Sequence, residues 1–151
     1  MEVRSKTYTY KTSVRWEGEK RGTIATQGKT DISVATPPEF KGPEGIWSPE
    51  DLFVASVNTC LMTTFLALID RAGLIPVEYQ SDAEGKLELG STGFSFTEVT
   101  LRPTIVVKTE EDRTKARELI EKAEKNCLIS NSIKSQVHLE ATIVLQTPSH
   151  N

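Results

Sequence analysis

Two cysteines are the residues on which chemistry could turn. Cys60 lies in SPEDLFVASVNTCLMTTFLALIDRAG, residues 48–73, and Cys127 opens the polar stretch KNCLISNS further along the chain. A thiol acts as a nucleophile only as its thiolate, so a reactive cysteine needs surroundings that depress its pKa. Asn58, Thr59, Thr63 and Thr64 flank Cys60 in a run that is otherwise almost wholly apolar. Such groups can donate hydrogen bonds to a sulfur anion or to a substrate oxygen. The plain alternative is a cysteine serving as a small buried apolar residue. Spacing alone neither decides between these readings nor shows that the two cysteines meet.

The activating partner is better sought among arginines than histidines. His138 sits in a strand-like run with Gln136 and Glu140 on its polar face, and His150 is one residue from the end. Both are expected to face solvent. Arginine is always charged, and its planar fork can hold a thiolate and a peroxide oxygen together. Arg15 and Arg21 flank the charged turn EGEKRG, residues 17–22, where the ordinary reading of either is a solvated hairpin charge. Cys60, Cys127, His138 and His150 lack the tight paired spacing of a zinc site. There is no phosphate-cradling loop and no GxSxG elbow.

Glu50 precedes Cys60 by ten residues, about 15 Å along a common helix axis. Its simplest role is to complement the helix dipole in the first turn. It cannot reach Cys60 within one helix. Two such helices crossing antiparallel near Ala55 would place Glu50 of one beside Cys60 of the other.

These residues need elements to position them. Ser48 is a good N-cap, Pro49 suits the first helical position, Asp51 completes a weak capping box and Gly73 is a natural stop. The helix between them is apolar around most of its circumference, which implies burial on all sides. One sheet covers only part of it, so another helix, from this chain or a second subunit, is expected against the rest. Ahead of it, TYTYKTSVRW (7–16), TIATQ and TDISVAT read as an antiparallel meander. PPEFKGPEGIW, residues 37–47, has three prolines and two glycines and reads as a loop, a candidate lid. Residues 77–89 and 94–107 read as two strands, with Pro103 marking an edge or bulge. Thr109 caps a second helix ending near Cys127, and VHLEATIVL reads as one last strand. The order is β-β-β-α-β-β-α-β, an α+β fold with antiparallel sheets around a long buried central helix.

Bulk properties agree. The 151 residues suit one domain spanning 1–151, with 37% apolar and 26% charged residues. The net charge of -3, from 18 basic against 21 acidic residues, and the lack of any basic block point away from nucleic acid. No apolar signal core opens the chain, and the polar residues around Cys60 interrupt the one long apolar run. A soluble, cytoplasmic protein without a membrane span is expected. In a reducing compartment two cysteines are free or redox-active rather than a structural staple.

WEGEKRG, then WSPEDLFVASVNTC, then AEKNCLISNSIKSQVHLEATIVL together resemble the signature regions of the OsmC/Ohr family of hydroperoxide reductases, nearer its OsmC branch. The resemblance runs over nearly the whole chain in the same order. It implies a thiol peroxidase acting on organic hydroperoxides, and to a varying degree on hydrogen peroxide. It implies Cys60 as the peroxidatic cysteine, Cys127 as the resolving cysteine that forms a disulfide with it, and Glu50 as the family glutamate. Arg21 is the best match to the arginine that steers the thiolate. It further implies an intertwined homodimer, no cofactor, and regeneration by an external dithiol, in some relatives a lipoylated protein. Trp47, Phe53, Leu61, Met62 and Phe40 are candidates for an apolar substrate pocket, though core packing is the ordinary role of each. Two departures stand out. The family's usual Cys-Pro-Val-Ser is Cys127-Leu128-Ile129-Ser130 here, which should loosen the resolving loop, and Ser56–Thr59 is bulkier and more polar than usual. The rival reading is a non-catalytic dimeric binding module with an apolar interface pocket and two inert thiols.

Overall fold

The computed structural model describes residues 5–148. His150, one of the candidate activators, lies outside them. The chain divides into two compact units, Met1–Leu52 and Phe53–Asn151.

The first unit is a three-stranded antiparallel meander of β1 (Ser13–Trp16), β2 (Arg21–Ala25) and β3 (Ile32–Ala35). The first strand is shorter than the alternation from Thr7 suggests, since only its last four residues pair with β2. The β1–β2 turn closes through Arg21 N–H to Gly18 O (3.1 Å) and Glu17 N–H to Arg21 O (3.0 Å). Gly18 adopts a φ of 104° there, a conformation that favours glycine. Arg21 therefore opens β2 instead of sitting in the turn. The proline-rich segment after β3 is pinned. Its 3-10 turn at Pro38–Phe40 is followed by carbonyls of Phe40 and Lys41 that accept from Lys20 Nζ, each at 3.1 Å. Trp47 O accepts from Ala35 N–H at 2.9 Å.

Helix α1 (Pro49–Ala72) begins as the residue types require. Ser48 Oγ accepts from Asp51 N–H (3.1 Å), while Asp51 Oδ2 accepts from Ser48 N–H (2.9 Å), a reciprocal capping box. It ends at Gly73, in the left-handed conformation with φ 71°, with Leu74 N–H returning to Ile69 O at 3.0 Å. By length and apolarity α1 would suffice to cross a bilayer. Here its Val57, Leu61, Phe65 and Ile69 join the core of the second unit.

That core is built on β5 (Gly93–Val107), the central strand of a mixed sheet. β4 (Glu78–Gly90) pairs with it antiparallel on one side. β6 (Gln136–Leu139) and β7 (Thr142–Leu145) pair with it in parallel on the other. In β5 the apolar residues Phe94 and Phe96 fall out of phase with Val99, Leu101, Ile105 and Val107. A bulge resolves this: Lys86 faces Glu98 but Leu87 faces Phe96, leaving Thr97 as the extra residue. All six apolar side chains then share one face. Helix α2 (Glu110–Lys125), capped by Thr109 Oγ1 accepting from Asp112 N–H at 3.0 Å, adds Ala116, Ile120 and Ala123 to the same core.

Pro103 departs from expectation. It lies buried on the central strand, not at an edge. Leu101 O accepts from Glu140 N–H (2.8 Å) and Val107 O from Gln146 N–H (2.7 Å), so the odd-numbered residues of β5 turn their backbone groups toward β6 and β7. The missing N–H of Pro103 faces that side, and the neighbouring strand breaks there, at Glu140–Ala141. The single strand expected over 137–145 is therefore two.

Candidate active site

Cys60 and Cys127 come together within the second unit. Cys60 sits midway along α1 and is 8% exposed. Thr64, one turn on and on the same face, places Oγ1 3.9 Å from the Cys60 sulfur. Cys127 follows the last turn of α2, where its N–H reaches Glu124 O at 3.3 Å, and it is fully buried. The two thiols are near enough for each to act on the other's pKa, and both are free.

The site treats the two sulfurs differently. Burial raises the Cys60 pKa and is the largest single influence. The polar influence of the nearby Cys127 thiol, the Ile129 main chain, the Thr64 hydroxyl and the Leu128 main chain together outweighs it and leaves Cys60 below the ordinary value. For Cys127, burial and then the neighbouring Cys60 sulfur push the pKa up. The Ser130 hydroxyl, buried and short of hydrogen-bond geometry, lies close enough to oppose that rise, as does the Ser130 N–H. The pair therefore ionises at Cys60 first, with Cys127 as the protonated partner.

The polar residues around Cys60 divide their work. Thr64 serves the sulfur. Thr63 Oγ1 donates to the Cys60 carbonyl at 3.2 Å, and Asn58 Nδ2 donates to Ser81 O at 2.9 Å, tying α1 to β4. Asn58 Oδ1, Tyr79 Oη and Ser81 Oγ are buried without hydrogen-bond partners around a cavity of about 140 Å³ that Thr59, Met62 and Gln80 also line. Burial pushes the Tyr79 phenol up to about 12, against a smaller opposing effect of the nearby Ser81 side chain.

The other candidates are distributed over both units. In the first, Arg21 is exposed at the start of β2, opposite Ala35, and takes part in none of the ion pairs among the described residues. Arg15 lies 4.0 Å from Glu17. Both arginines border a groove of about 530 Å³. Glu50, in the first turn of α1, has its Oε2 buried with no hydrogen-bond partner. Trp47 is 53% exposed, and Phe40 is also exposed. In the second unit Leu61 is fully buried in the core and Phe53 stacks on Phe96, ring centroids 4.6 Å apart. Met62 is half-buried at the cavity just described. His138 Nε2 lies 3.3 Å from Glu98 Oε1. Among the described residues no three His, Cys, Asp or Glu side chains gather as a metal site would require.

The groups that residue types did not reveal are main-chain ones. The N–H groups of Leu128 and Ile129 are invisible to any reading of side chains. The sole hint was their place immediately after Cys127.

Comparison with known proteins places this arrangement among relatives. The family described as OsmC-like protein matches residues 42–142. The uncharacterized protein YmaD of Bacillus subtilis is 30% identical over 83% of this chain and 86% of its own length. Peroxiredoxin OsmC of Escherichia coli is 25% identical over 86% of this chain and 93% of its own. Among solved structures, an OsmC-like protein of unknown function from Vibrio cholerae superposes with a TM-score of 0.81 at 24% identity, covering 89% of this chain and 99% of that one.

Proposed function

This chain belongs to the OsmC-like protein family, and from that premise we propose that it is a cysteine-based peroxidase that reduces organic hydroperoxides. The observation that carries the reading is the meeting of two free thiols of opposite character, one biased toward the anion and one toward the acid. Relatives named as peroxiredoxins give the reaction class its precedent.

The Cys60 thiolate attacks the distal oxygen of the hydroperoxide. The O–O bond breaks, the alkoxide takes a proton and leaves as alcohol, and Cys60 becomes a sulfenic acid. The Cys127 sulfur then attacks the Cys60 sulfur. A disulfide forms and the sulfenic oxygen, with the Cys127 proton, leaves as water. Two electrons from an external dithiol, a small molecule or a lipoylated protein, restore both thiols by exchange. The chain's own residues supply position and charge, without a cofactor.

Arg21 is the guanidinium assigned to the reacting sulfur and peroxide in this reading, oriented by Glu50. The unit is a homodimer. Helix α1 is apolar all round, yet within one chain it buries only Val57, Cys60, Leu61, Phe65 and Ile69, while Leu66 stays 41% exposed. A second copy covers that face. Met62, on the cavity of about 140 Å³, favours an alkyl peroxide over hydrogen peroxide. A cytoplasmic setting keeps both thiols reduced between turnovers.

The test is stoichiometric. One equivalent of cumene hydroperoxide should consume two free thiols per chain and yield an internal Cys60–Cys127 disulfide by mass spectrometry. Cys60→Ser should abolish this. Both thiols persisting in the wild type would leave a binding module and no peroxidase.

A further inference from the structure

Helix α1 uses its hydroxyls in unlike ways. Ser56 Oγ donates to Phe53 O at 2.7 Å and Thr63 Oγ1 to Cys60 O at 3.2 Å, each reaching back three residues. Such back-bonding is the ordinary fate of a serine or threonine inside a helix. Thr64 departs from it. The carbonyl four residues behind it is that of Cys60, which already accepts the helical N–H of Thr64 and the Thr63 hydroxyl. Both of its lone pairs are taken. The Thr64 hydroxyl meets the Cys60 sulfur instead, at 3.9 Å, its one hydrogen-bonding contact among the described residues. Side chains on an α-helix lean toward its N-terminus, so residue 64 lies over residue 60. Cys60 is buried and Thr64 half-buried, so water competes for this contact only in part.

We propose that Thr64 is a further catalytic residue, whose hydroxyl donates to the Cys60 thiolate and holds the reacting sulfur in its ionised form. A thiol can give or take the hydrogen of this bond, but a thiolate can only accept, so ionisation fixes the hydroxyl as the donor. Bonds to an ionised acceptor are shorter and stronger than neutral ones. The 3.9 Å contact therefore closes as the proton leaves Cys60. The donor rides on the same helix as the nucleophile, one turn away, so helix geometry fixes its aim. Thr63, next along the chain, has the same hydroxyl but spends it on the carbonyl of Cys60. It leaves the sulfur to Thr64 by occupying the place where the Thr64 hydroxyl would otherwise bond.

The proposal rests on the peroxidase reading for its consequence in catalysis, and its test uses no peroxide. Cys60 alkylation by iodoacetamide is followed against pH on the reduced full chain, with peptide mapping to separate Cys60 from Cys127. Thr64→Val removes the hydroxyl and keeps the branched shape. Thr64→Ser keeps the hydroxyl and removes the methyl. Thr63→Val is the control, since it removes the hydroxyl that bonds the carbonyl. In Thr64→Val the Cys60 midpoint should rise by about one pH unit. Its high-pH plateau should be no lower than that of the wild type, because a more basic sulfur is the better nucleophile once ionised. Thr64→Ser and Thr63→Val should keep the wild-type midpoint. An unmoved midpoint in Thr64→Val, an equal rise in either of the other two, or a lowered plateau would each overturn the proposal. A second readout needs no variant. In wild type labelled with ¹³C at threonine, the Thr64 Cβ resonance should follow the Cys60 titration, and a signal indifferent to it would overturn the proposal equally. A raised midpoint in Thr64→Val, in a protein that leaves cumene hydroperoxide untouched, would uphold the Thr64 donor and sink the peroxidase. Peroxide consumed by a Thr64→Val variant with an unmoved midpoint would do the reverse.

Discussion

Cys60 and Cys127 are neighbours that act on each other in opposite directions: the Cys127 thiol lowers the Cys60 pKa, and Cys60 raises that of Cys127. Cys127 is itself the group that would later form the disulfide. Ionising Cys60 therefore stabilises the protonated form of Cys127, and loss of that proton from Cys127 would put two anions side by side. One contact thus prepares the nucleophile and keeps the second thiol neutral until the first has reacted.

The order has a pH signature. The folded Cys60 pKa is lowered, so its thiolate persists to more acidic pH than in a free cysteine, and its alkylation midpoint should fall below that of a free cysteine. The Cys127 pKa is raised, so its midpoint should lie above that value. Cys127→Ala removes the thiol that lowers the Cys60 pKa and should move the Cys60 midpoint upward. Alkylation rates measured site by site across pH check both directions, and a Cys60 midpoint at or above that of Cys127 would contradict the assignment.

Arg21→Ala should slow the first oxidation of Cys60 by on the order of a hundredfold, the loss expected when a preorganised charge is removed from a developing anion. Arg15→Ala, at the other end of the same turn, should stay near wild type. Single-turnover consumption of cumene hydroperoxide distinguishes them. Equal rates in Arg21→Ala and wild type would remove Arg21 from the mechanism and leave the thiol pair to act alone.

Gly85 is a packing glycine. A Cβ there would stand 2.5 Å from Val54 Cγ2 and 3.0 Å from the Phe96 ring. Val54 is β-branched and cannot swing clear cheaply. Gly85→Ala should cost about 1–3 kcal/mol in urea unfolding. Adding Val54→Ala should return part of that loss, since the two changes share one contact.

Phe65 is the largest fully buried side chain, and its ring lies 5.5 Å from that of Tyr79. Phe65→Ala should destabilise by about 3–5 kcal/mol. The same variant opens space one turn of α1 beyond Cys60. Chemical denaturation together with Cys60 alkylation would show whether lost packing also lowers thiol selectivity.

Much of this protein is legible in residue order. Ser48, Asp51 and Gly73 set the limits of α1 through bonds between near neighbours, and Thr109 does the same for α2. These signals are local, so no partner element is needed to read them. The family pattern around Cys60 and Cys127 marks both thiols for the same reason. Pro103 was legible as an interruption but not as to where its effect would fall. That depended on which neighbour its missing N–H faced, and the answer was the break between β6 and β7. Similarly, the phase slip between Phe96 and Val99 is written in the sequence, but its cure by a bulge at Thr97 needs β4 alongside.

The sequence by itself determined the helix that carries Cys60, the cap that starts it, the stop that ends it and the presence of a second thiol in a polar turn. Only the tertiary structure decided that this turn comes near Cys60, and that the surroundings lower the Cys60 pKa while they raise that of Cys127. The physical reason is range. Caps and periodicities are written in contacts a few residues apart, whereas the charge on a sulfur is set by every dipole that packing brings to it. Backbone dipoles are the same in every non-proline residue, so their direction becomes known only once the chain has folded.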